Sequence, residues 1–513
     1  MRKEPLVLVV LDGWGIGTKD ASNPINATGP KNINYIRHNF PAGALQASGV
    51  AVGLPWGEFG DSEVGHLTLG AGKVLYQHYP RISLAIKDGS FYKNKELLAA
   101  FENAKKNNSK VHIVGLLGKS NIHSSFEHLT SLIEFAKKEN IEKIYIHAFT
   151  DGRDSPPKEA LNLIADLPQG SVASISGRFF AMDRDIHWDR TKRVYDMLTG
   201  ESISSGTTSD ITKILTDAYK RGLTDEFIEP ILINPAGKIT DGDTIIFFNY
   251  REDSMKQLAQ MFVDLNIGEK HAIPKGLHIT SFTNYSSKLS FPVAFPADKV
   301  INPLGKVLAD NNKIQLRIAE TEKYAHVTYF FNGLIEKPFK NEYRVLIPSK
   351  NIARHDDSPQ MMAIEVTTRV TSAINEGVYD FILVNYANAD IIGHTGNFDA
   401  AMVAIQTIDD QIGILTKLIL ETEGAMIITS DHGNVERMIN LRTGLPETTH
   451  YPSPVPIYIV KRGYEREKTE DMAIQIEKTN IGVISDVAPT ILELMRIQKP
   501  KEMTGISLLR FLR

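Results

Sequence analysis

The 513-residue chain is longer than a single hydrophobic core usually supports, so we expect two or more domains. Its 57 lysines and arginines nearly balance its 61 aspartates and glutamates, and the formal net charge of -4 argues against a nucleic-acid-binding protein, which usually needs a basic surface. The absence of cysteine excludes disulfides, thiolate metal sites and cysteine nucleophiles, so any metal ion must be held by histidines and carboxylates.

The first apolar run of the chain, Leu6–Leu11, is too short for a signal-peptide core or a membrane span. We therefore expect a soluble cytoplasmic protein with no membrane partner and no nucleic-acid partner. We also expect a monomer that acts on a small molecule.

Short runs rich in valine and isoleucine recur along the chain, and polar residues follow each of them. Such runs are typical of parallel strands that are buried on both faces. In chain order, the predicted strands are 6–11, 111–117, 143–147, 172–176, 244–249, 381–385, 426–429 and 456–460. Segments of helical period lie between them, for example 125–138 and 400–420. This alternation predicts an α/β fold with ligand sites at the carboxyl ends of its strands.

The first candidate metal ligands follow two of these strands. Asp12 comes directly after the first strand, within a Leu-Asp-Gly-Trp-Gly segment. Asp390 and His394 follow strand 381–385 at a spacing that places both side chains on one face of a helix, where a divalent ion can bridge them. Taken alone, such a pair is more often a surface pair, and Asp12 alone could be an ordinary turn residue.

Further candidate ligands lie near the carboxyl terminus. Asp431 and His432 are adjacent after strand 426–429, and His450 precedes the last predicted strand. The alternative for the adjacent pair is a turn-capping aspartate beside a partly buried histidine. Together with the first group, these carboxylates and imidazoles suit Mn²⁺, Zn²⁺ or Mg²⁺ and outnumber the needs of one ion. The sequence therefore predicts a two-metal site, which is suited to in-line phosphoryl transfer.

A candidate nucleophile for such a site is Ser62, which lies in a Gly-Asp-Ser-Glu-Val-Gly-His segment at an apparent loop-to-helix turn. A serine hydroxyl needs activation, and coordination to a divalent ion would supply it. The alternative is that Ser62 is an ordinary helix N-cap. The sequence contains no Gly-x-Ser-x-Gly elbow, so an acyl-hydrolase triad fits poorly.

Because the candidate ligands come from both ends of the chain, we expect those ends to form one domain. Residues 1–77 and 308–513 are predicted to form a discontinuous metal-binding domain. Residues 78–307 are predicted to form a smaller α/β domain inserted into it.

Several motifs in family order resemble the cofactor-independent phosphoglycerate mutases of the alkaline phosphatase superfamily. They are the segments 11–15, 60–66, 316–328, 385–394, 430–434 and 449–450. The resemblance covers essentially the whole chain. It implies an alkaline-phosphatase-like parallel-sheet domain with a smaller inserted domain for substrate binding. It also implies interconversion of 3-phosphoglycerate and 2-phosphoglycerate in glycolysis and gluconeogenesis, with no requirement for 2,3-bisphosphoglycerate.

The same resemblance implies a role for each candidate residue. One Mn²⁺ would be held by Asp390, His394 and His450, and a second by Asp12, Ser62, Asp431 and His432. Ser62 would become phosphorylated, and Lys323 would lie beside the transferring phosphate, where an ammonium offsets developing charge. Substrate would be bound by His123, Arg153, Asp154, Arg184, Arg190, Arg251 and Lys323. Arginine suits this task because its planar fork binds carboxylate or phosphate with two hydrogen bonds.

Two positions depart from the usual family pattern. Ser125 stands where a second histidine is usual, and Ser254 stands where a second arginine is common. These departures concern the substrate contacts rather than the metal site. The alternatives to a mutase are a phosphomonoesterase, a phosphopentomutase-like enzyme, or a metal-dependent binding protein that has lost catalysis.

Overall fold

The computed structural model describes residues 3–200, 210–267 and 271–512. The chain divides into two compact units, unit 1 (Met1–Tyr76 with Asp298–Arg513) and unit 2 (Gln77–Ala297). The sequence-based boundaries are 78 and 307. Residues 298–307 belong to unit 1 because Leu304, Val307 and Leu308 are buried in its core. The metal-binding role predicted for unit 1 and the substrate-binding role predicted for unit 2 remain predictions.

The strands, in chain order, are β1 (Leu6–Leu11), β2 (Ala42–Gln46), β3 (Val111–Leu117), β4 (Ile144–Thr150), β5 (Val172–Gly177), β6 (Ile231–Leu232), β7 (Thr244–Phe247), β8 (His278–Ser281), β9 (Gln315–Glu320), β10 (Glu342–Ile347), β11 (Phe381–Tyr386), β12 (Ala425–Thr429), β13 (Val455–Lys461) and β14 (Asn480–Val483). All of the strands predicted from apolar runs are confirmed, with small shifts at their ends.

The α-helices, in chain order, are α1 (Pro24–Thr28), α2 (Lys31–Asn39), α3 (Ser62–Ala71), α4 (His78–Asp88), α5 (Lys95–Asn107), α6 (Phe126–Lys138), α7 (Ala160–Ala165), α8 (Arg178–Ala181), α9 (Trp188–Thr199), α10 (Ile211–Lys220), α11 (Lys256–Met261), α12 (Leu304–Asp310), α13 (Ala363–Glu376), α14 (Asn388–Gly393), α15 (Phe398–Glu421), α16 (Glu470–Glu477) and α17 (Val487–Leu494). Within the described ranges, no helix combines the length and the apolar character needed to cross a membrane.

Unit 1 is built on an eight-stranded sheet, as far as the described residues show, with the order β10-β9-β11-β1-β12-β13-β2-β14. β1 lies at its centre and pairs in parallel with β11 and β12. Every residue of β1 is buried, since helices cover both faces of the sheet. The carboxyl ends of these three strands therefore lie side by side, and Asp12, Asp390 and Asp431 follow them.

β13 differs from the prediction, because it runs antiparallel to both β12 and β2. The chain leaves β12 at Thr429 and enters β13 at Val455, so the segment between them stays at the carboxyl edge of β12. A parallel strand would require a crossover to the opposite edge. The antiparallel return keeps His450 on the same edge as Asp431.

Unit 2 contains a six-stranded sheet among its described residues, with the order β6-β5-β4-β3-β7-β8. Its neighbouring strands are parallel except for β6, which is a short antiparallel edge strand. α5 and α6 pack on one face of this sheet, and α9 and α11 pack on the other. Both units are thus α/β structures with parallel-sheet cores, and the predicted fold class is confirmed.

Candidate active site

Ser62 is the first residue of α3, and it points into the carboxyl edge of the unit 1 sheet. The N-cap of this helix is Asp61, whose carboxylate accepts the Val64 N–H at 2.7 Å. The N-cap alternative for Ser62 is therefore wrong, and its hydroxyl is free for other contacts. The Ser62 Oγ donates to Asp12 Oδ1 at 3.0 Å and lies 3.0 Å from His432 Nε2.

Lys323 lies at the centre of this cluster. It ends a 3-10 turn, Thr321–Lys323, that follows β9, and it is buried. Its Nζ donates to Ser62 Oγ at 2.6 Å, to Asp12 Oδ1 at 2.7 Å and to Asp390 Oδ2 at 2.7 Å. The ammonium thus contacts the candidate nucleophile and two of the candidate ligands at once.

These contacts set the protonation of the cluster. Burial lowers the pKa of Lys323, but Asp12 and Asp390 outweigh it and raise that pKa above its ordinary value. Burial raises the pKa of each carboxyl, and the Lys323 ammonium holds both pKa values well below their usual range. The cluster is therefore a buried arrangement of ionised groups, and such strongly shifted values are typical of functional sites.

A second part of the site is formed by Asp390, His394 and His450. The Nε2 atoms of both histidines lie 3.3 Å from Asp390 Oδ1 and 3.0 Å from each other. The Nδ1 of His394 lies 2.8 Å from the Thr448 carbonyl oxygen, and the Nδ1 of His450 lies 2.7 Å from the Gly60 carbonyl oxygen. Each Nδ1 must therefore carry a hydrogen, so in the neutral form of each ring the Nε2 lone pair faces the Asp390 carboxylate.

Asp431 and His432 follow β12 and are fully buried. Asp431 Oδ1 accepts the Gly13 N–H at 3.3 Å and the His432 N–H at 3.1 Å. Burial lowers the pKa of His432, but Asp431 and Asp12 outweigh it and raise the pKa to about 10. His432 also stacks on His450 with ring centroids 4.0 Å apart, which links the two parts of the site.

The sequence analysis did not assign His66 or Asn385 to the site. Asn385 Nδ2 donates to Asp12 Oδ2 at 2.7 Å and to His66 Nε2 at 3.0 Å. The His66 Nδ1–H then faces the Ser62 carbonyl at 2.9 Å and Asp431 Oδ2 at 3.1 Å. The spacing of four residues between Ser62 and His66 on α3 is the signal that could have found this histidine. Asn434 was also missed, and its Nδ2 donates to Asp390 Oδ1 at 2.9 Å.

The donor set fits divalent metal ions. Two groups within the described residues bring three potential ligand atoms close together, namely Asp390, His432 and His450, and Asp12, His66 and Asp431. Two imidazole lone pairs 3.0 Å apart repel each other unless a cation or a proton lies between them, and both imidazoles have the carbonyl partners usual for metal ligands. Asp431 Oδ2 is buried and lies 3.1 Å from His66 Nδ1, but the geometry of this contact is not that of a hydrogen bond, and the oxygen makes no hydrogen bond among the described residues. His432 is grouped here with Asp390, whereas the family resemblance assigns it to the other ion.

The candidate substrate residues of unit 2 are organised by Arg178, which the sequence analysis did not assign. Its Nη1 pairs with Asp151 at 2.6 Å and also with Asp154, and its Nη2 lies 2.9 Å from His123 Nε2. Burial lowers the pKa of His123 to about 4, helped by Arg178 and Arg251. His123 is therefore neutral near pH 7 and can accept a hydrogen bond.

The other candidate arginines of unit 2 lie near this group. Arg184 and Arg251 both pair with Asp253, and Arg190 Nη1 donates to Asp183 Oδ2 at 3.1 Å. A small cavity of about 90 Å³ is lined by four arginines and neutral His123, together with three acidic residues; the charged lining residues are Arg153, Arg178, Arg184, Arg190, Asp183, Asp185 and Glu226. Of the predicted substrate residues of unit 2, His123, Arg153, Arg184 and Arg190 line this cavity, whereas Asp154 and Arg251 do not. Asp154 pairs with the lining residue Arg178, and Arg251 shares Asp253 with the lining residue Arg184.

Both departures from the family pattern are buried in unit 2. Ser125 occupies the N-cap of α6 without a side-chain capping bond. Ser254 lines the same small cavity, and its hydroxyl donates to the Arg251 carbonyl at 2.7 Å. A serine at position 254 therefore binds the backbone and adds no cation to the cavity.

Comparison with known proteins agrees with these observations. The family described as BPG-independent PGAM N-terminus matches residues 82–287. The 2,3-bisphosphoglycerate-independent phosphoglycerate mutase 1 of Methanosarcina barkeri is 44% identical over 99% of this chain and 98% of its own length. The enzyme of that name from Clostridium botulinum is 42% identical over 99% of this chain and 100% of its own length.

Among solved structures, the phosphoglycerate mutase of Leishmania mexicana, determined at low cobalt concentration, is similar to this chain. The match has a TM-score of 0.52 and 26% sequence identity, and it covers 99% of this chain and 98% of that one. The 44% and 42% identities to the relatives from Methanosarcina barkeri and Clostridium botulinum, over nearly the full length of each chain, establish the family. The chain belongs to the 2,3-bisphosphoglycerate-independent phosphoglycerate mutases.

Proposed function

We propose that this enzyme interconverts 3-phosphoglycerate and 2-phosphoglycerate through a phosphoserine at Ser62, within a site that holds two divalent ions. We propose Mn²⁺ as the ion and glycolysis and gluconeogenesis as the setting. We further propose that the enzyme works in the cytoplasm as a monomer. The choice of Mn²⁺ and the metabolic setting rest on the family resemblance.

The observation that carries the proposal is the environment of the Ser62 hydroxyl. It lies within 3.0 Å of Asp12 Oδ1, His432 Nε2 and Lys323 Nζ, and the two candidate metal groups include Asp12 and His432. A serine in such a position has both a proton acceptor and a cation beside it. An ordinary structural serine needs neither.

We propose the ligand sets that the family resemblance implies, with Asp390, His394 and His450 for one ion and Asp12, Ser62, Asp431 and His432 for the other. The ligand atoms that lie close together support two ion positions, although they group His432 with Asp390 and His450, and His66 with Asp12 and Asp431. When bound, such ions favour the ionised form of a hydroxyl and neutralise charge on a phosphoryl group.

The chain's own residues account for the two transfers. In the first, the Ser62 Oγ–H gives up its proton along the hydrogen bond to Asp12, the Ser62 O–P bond forms, and the bond between phosphorus and O3 of 3-phosphoglycerate breaks. O3 takes up that proton, so Asp12 stays ionised. In the second, the O2–H of the glycerate gives up its proton as O2 forms a bond to the same phosphorus, the Ser62 O–P bond breaks, and Ser62 Oγ takes up that proton. Throughout, the Lys323 ammonium offsets the negative charge on the phosphoryl oxygens.

Unit 2 is proposed to bind the glycerate part of the substrate. The guanidinium groups of Arg153, Arg184, Arg190 and Arg251 suit a carboxylate and a phosphate, and neutral His123 suits a hydroxyl. Retention of the glycerate between the two transfers separates a mutase from a phosphatase, because water would otherwise take the phosphoryl group.

Phosphorus NMR of 3-phosphoglycerate tests this proposal, with purified protein, added Mn²⁺ and no 2,3-bisphosphoglycerate. We expect 2-phosphoglycerate to grow in without free phosphate, and we expect a chelator to stop the reaction. Release of inorganic phosphate alone would identify a phosphomonoesterase. Conversion that persists in excess chelator would contradict the metal assignment.

A further inference from the structure

Glu436 is a buried carboxylate behind the candidate metal site, and the proposed function does not use it. It lies four residues after His432 and is 1% exposed. Its Oε2 accepts the Gly15 N–H at 3.1 Å and the Asn434 N–H at 2.8 Å. One carboxylate oxygen therefore holds two backbone segments, 12–15 and 431–434, that carry Asp12 and Asp431.

The surrounding glycines reserve space for this carboxylate. A Cβ atom at Gly15 would lie 2.3 Å from Glu436 Cδ, and one at Gly433 would lie 2.4 Å from Glu436 Oε1. Any larger residue at either position would therefore push the carboxylate away. The Gly433 carbonyl also accepts the Tyr451 N–H at 2.9 Å, so the segment that carries His450 joins the same assembly.

Stability alone does not explain a carboxylate here. Burial raises the pKa of Glu436, although the Ser453 side chain and the backbone N–H groups of Gly15 and Asn434 oppose this shift, and no ion pair joins Glu436 to a lysine, arginine or histidine among the described residues. A buried carboxylate without a cation costs free energy relative to an exposed one. Glu342 in the same unit is comparably buried, yet it pairs with Arg344 at 2.7 Å.

We infer that Glu436 is a positioning residue that fixes segment 12–15 against segment 431–434 and thereby sets the separation of the Asp12 and Asp431 carboxylates. This inference rests on the proposed function, because the separation matters only if both carboxylates bind metal ions. Partners of this kind typically alter metal affinity by about 10-fold or more when they are replaced.

The test compares Glu436→Gln with wild type and with the matched control Glu342→Gln. Calorimetric titration with Mn²⁺ should show binding about 10-fold weaker in Glu436→Gln and unchanged in Glu342→Gln, following the usual effect of such partners. Hydrogen exchange in a chelator should be faster in segments 12–17 and 431–436 of Glu436→Gln only. The KM for 3-phosphoglycerate should stay within about twofold, since the substituted residue lies outside the substrate contacts.

Gly15→Ala is a second variant that displaces the same carboxylate by steric contact, and it serves if Glu436→Gln does not fold. Wild-type Mn²⁺ affinity and unchanged exchange in a folded variant would overturn the inference. If wild type itself binds no Mn²⁺, the two-metal proposal fails, while the exchange comparison in chelator still decides whether Glu436 holds the two segments.

Discussion

Replacement of Lys323 by methionine removes the cation that joins Asp12 and Asp390. Both carboxylates are buried, with 0% and 3% exposure, and each lies 2.7 Å from the ammonium. Removal of one member of a buried ion pair usually costs about 3–5 kcal/mol, because a charge is left without compensation. For a domain of this size, the matching fall in melting temperature is on the order of 10 °C.

The loss of stability in Lys323→Met should depend on whether metal ions are bound. In a chelator, Lys323→Met should show the full shift, whereas saturating Mn²⁺ should remove at least half of it, because bound ions would compensate the same carboxylates. Differential scanning calorimetry measures both conditions. Activity should fall by about 10²–10³-fold, the usual effect of removing one preorganised electrostatic contact.

Lys468→Met is the matched control. Lys468 is also buried in unit 1, but its Nζ binds the Phe40 carbonyl oxygen, and burial lowers its pKa to about 8. Its loss leaves no carboxylate uncompensated, so its shift should be smaller and independent of Mn²⁺. Equal shifts for the two variants, with and without metal, would refute the reasoning.

Three further predictions concern single residues. Ser62→Ala should abolish conversion while Mn²⁺ affinity by calorimetry stays within about tenfold; near-normal turnover would exclude the nucleophile assignment. Burial lowers the pKa of His128 from 6.5 to about 3, so the unfolded state takes up the proton first and stability falls as pH drops from 6.5 toward 3. In His128→Gln, the free energy of unfolding measured with urea should change less with pH over this range. A pH dependence equal to that of wild type would contradict the prediction. Arg178→Met should destabilise unit 2 by about 3 kcal/mol because Asp151 stays buried, whereas the exposed Arg193→Met should cost less than about 1 kcal/mol; equal thermal shifts would contradict this.

The central strands of unit 1 could be predicted because their residues are apolar on both faces. β1, β11 and β12 are continuous apolar runs and were all predicted. β9 was not, because Arg317 interrupts its pattern. Arg317 is fully buried between the rings of Phe331 and Phe381, a placement that a hydrophobic pattern does not reveal.

Some contacts of the candidate site could also be predicted from the sequence, and others could not. The spacing of Asp390 and His394 predicts neighbouring side chains, and the structure places them 3.3 Å apart. The contact between Asp12 and Lys323 joins residues 311 positions apart, so spacing carries no information about it. Only the family resemblance suggested Lys323. The spacing of Ser62 and His66 on α3 carries a local signal for His66, but its contacts with Asn385 and Asp431 depend on tertiary structure.

The central claim is that Ser62 carries the phosphoryl group during the reaction. Its most direct test is a single-turnover reaction of the Mn²⁺-loaded enzyme with phosphorus-labelled 3-phosphoglycerate, quenched in acid at successive times and followed by peptide mass spectrometry. We predict that label appears on the peptide containing Ser62 before 2-phosphoglycerate accumulates and then disappears, and that Ser62→Ala shows none. Full conversion to 2-phosphoglycerate with no labelled peptide at any time would contradict the account.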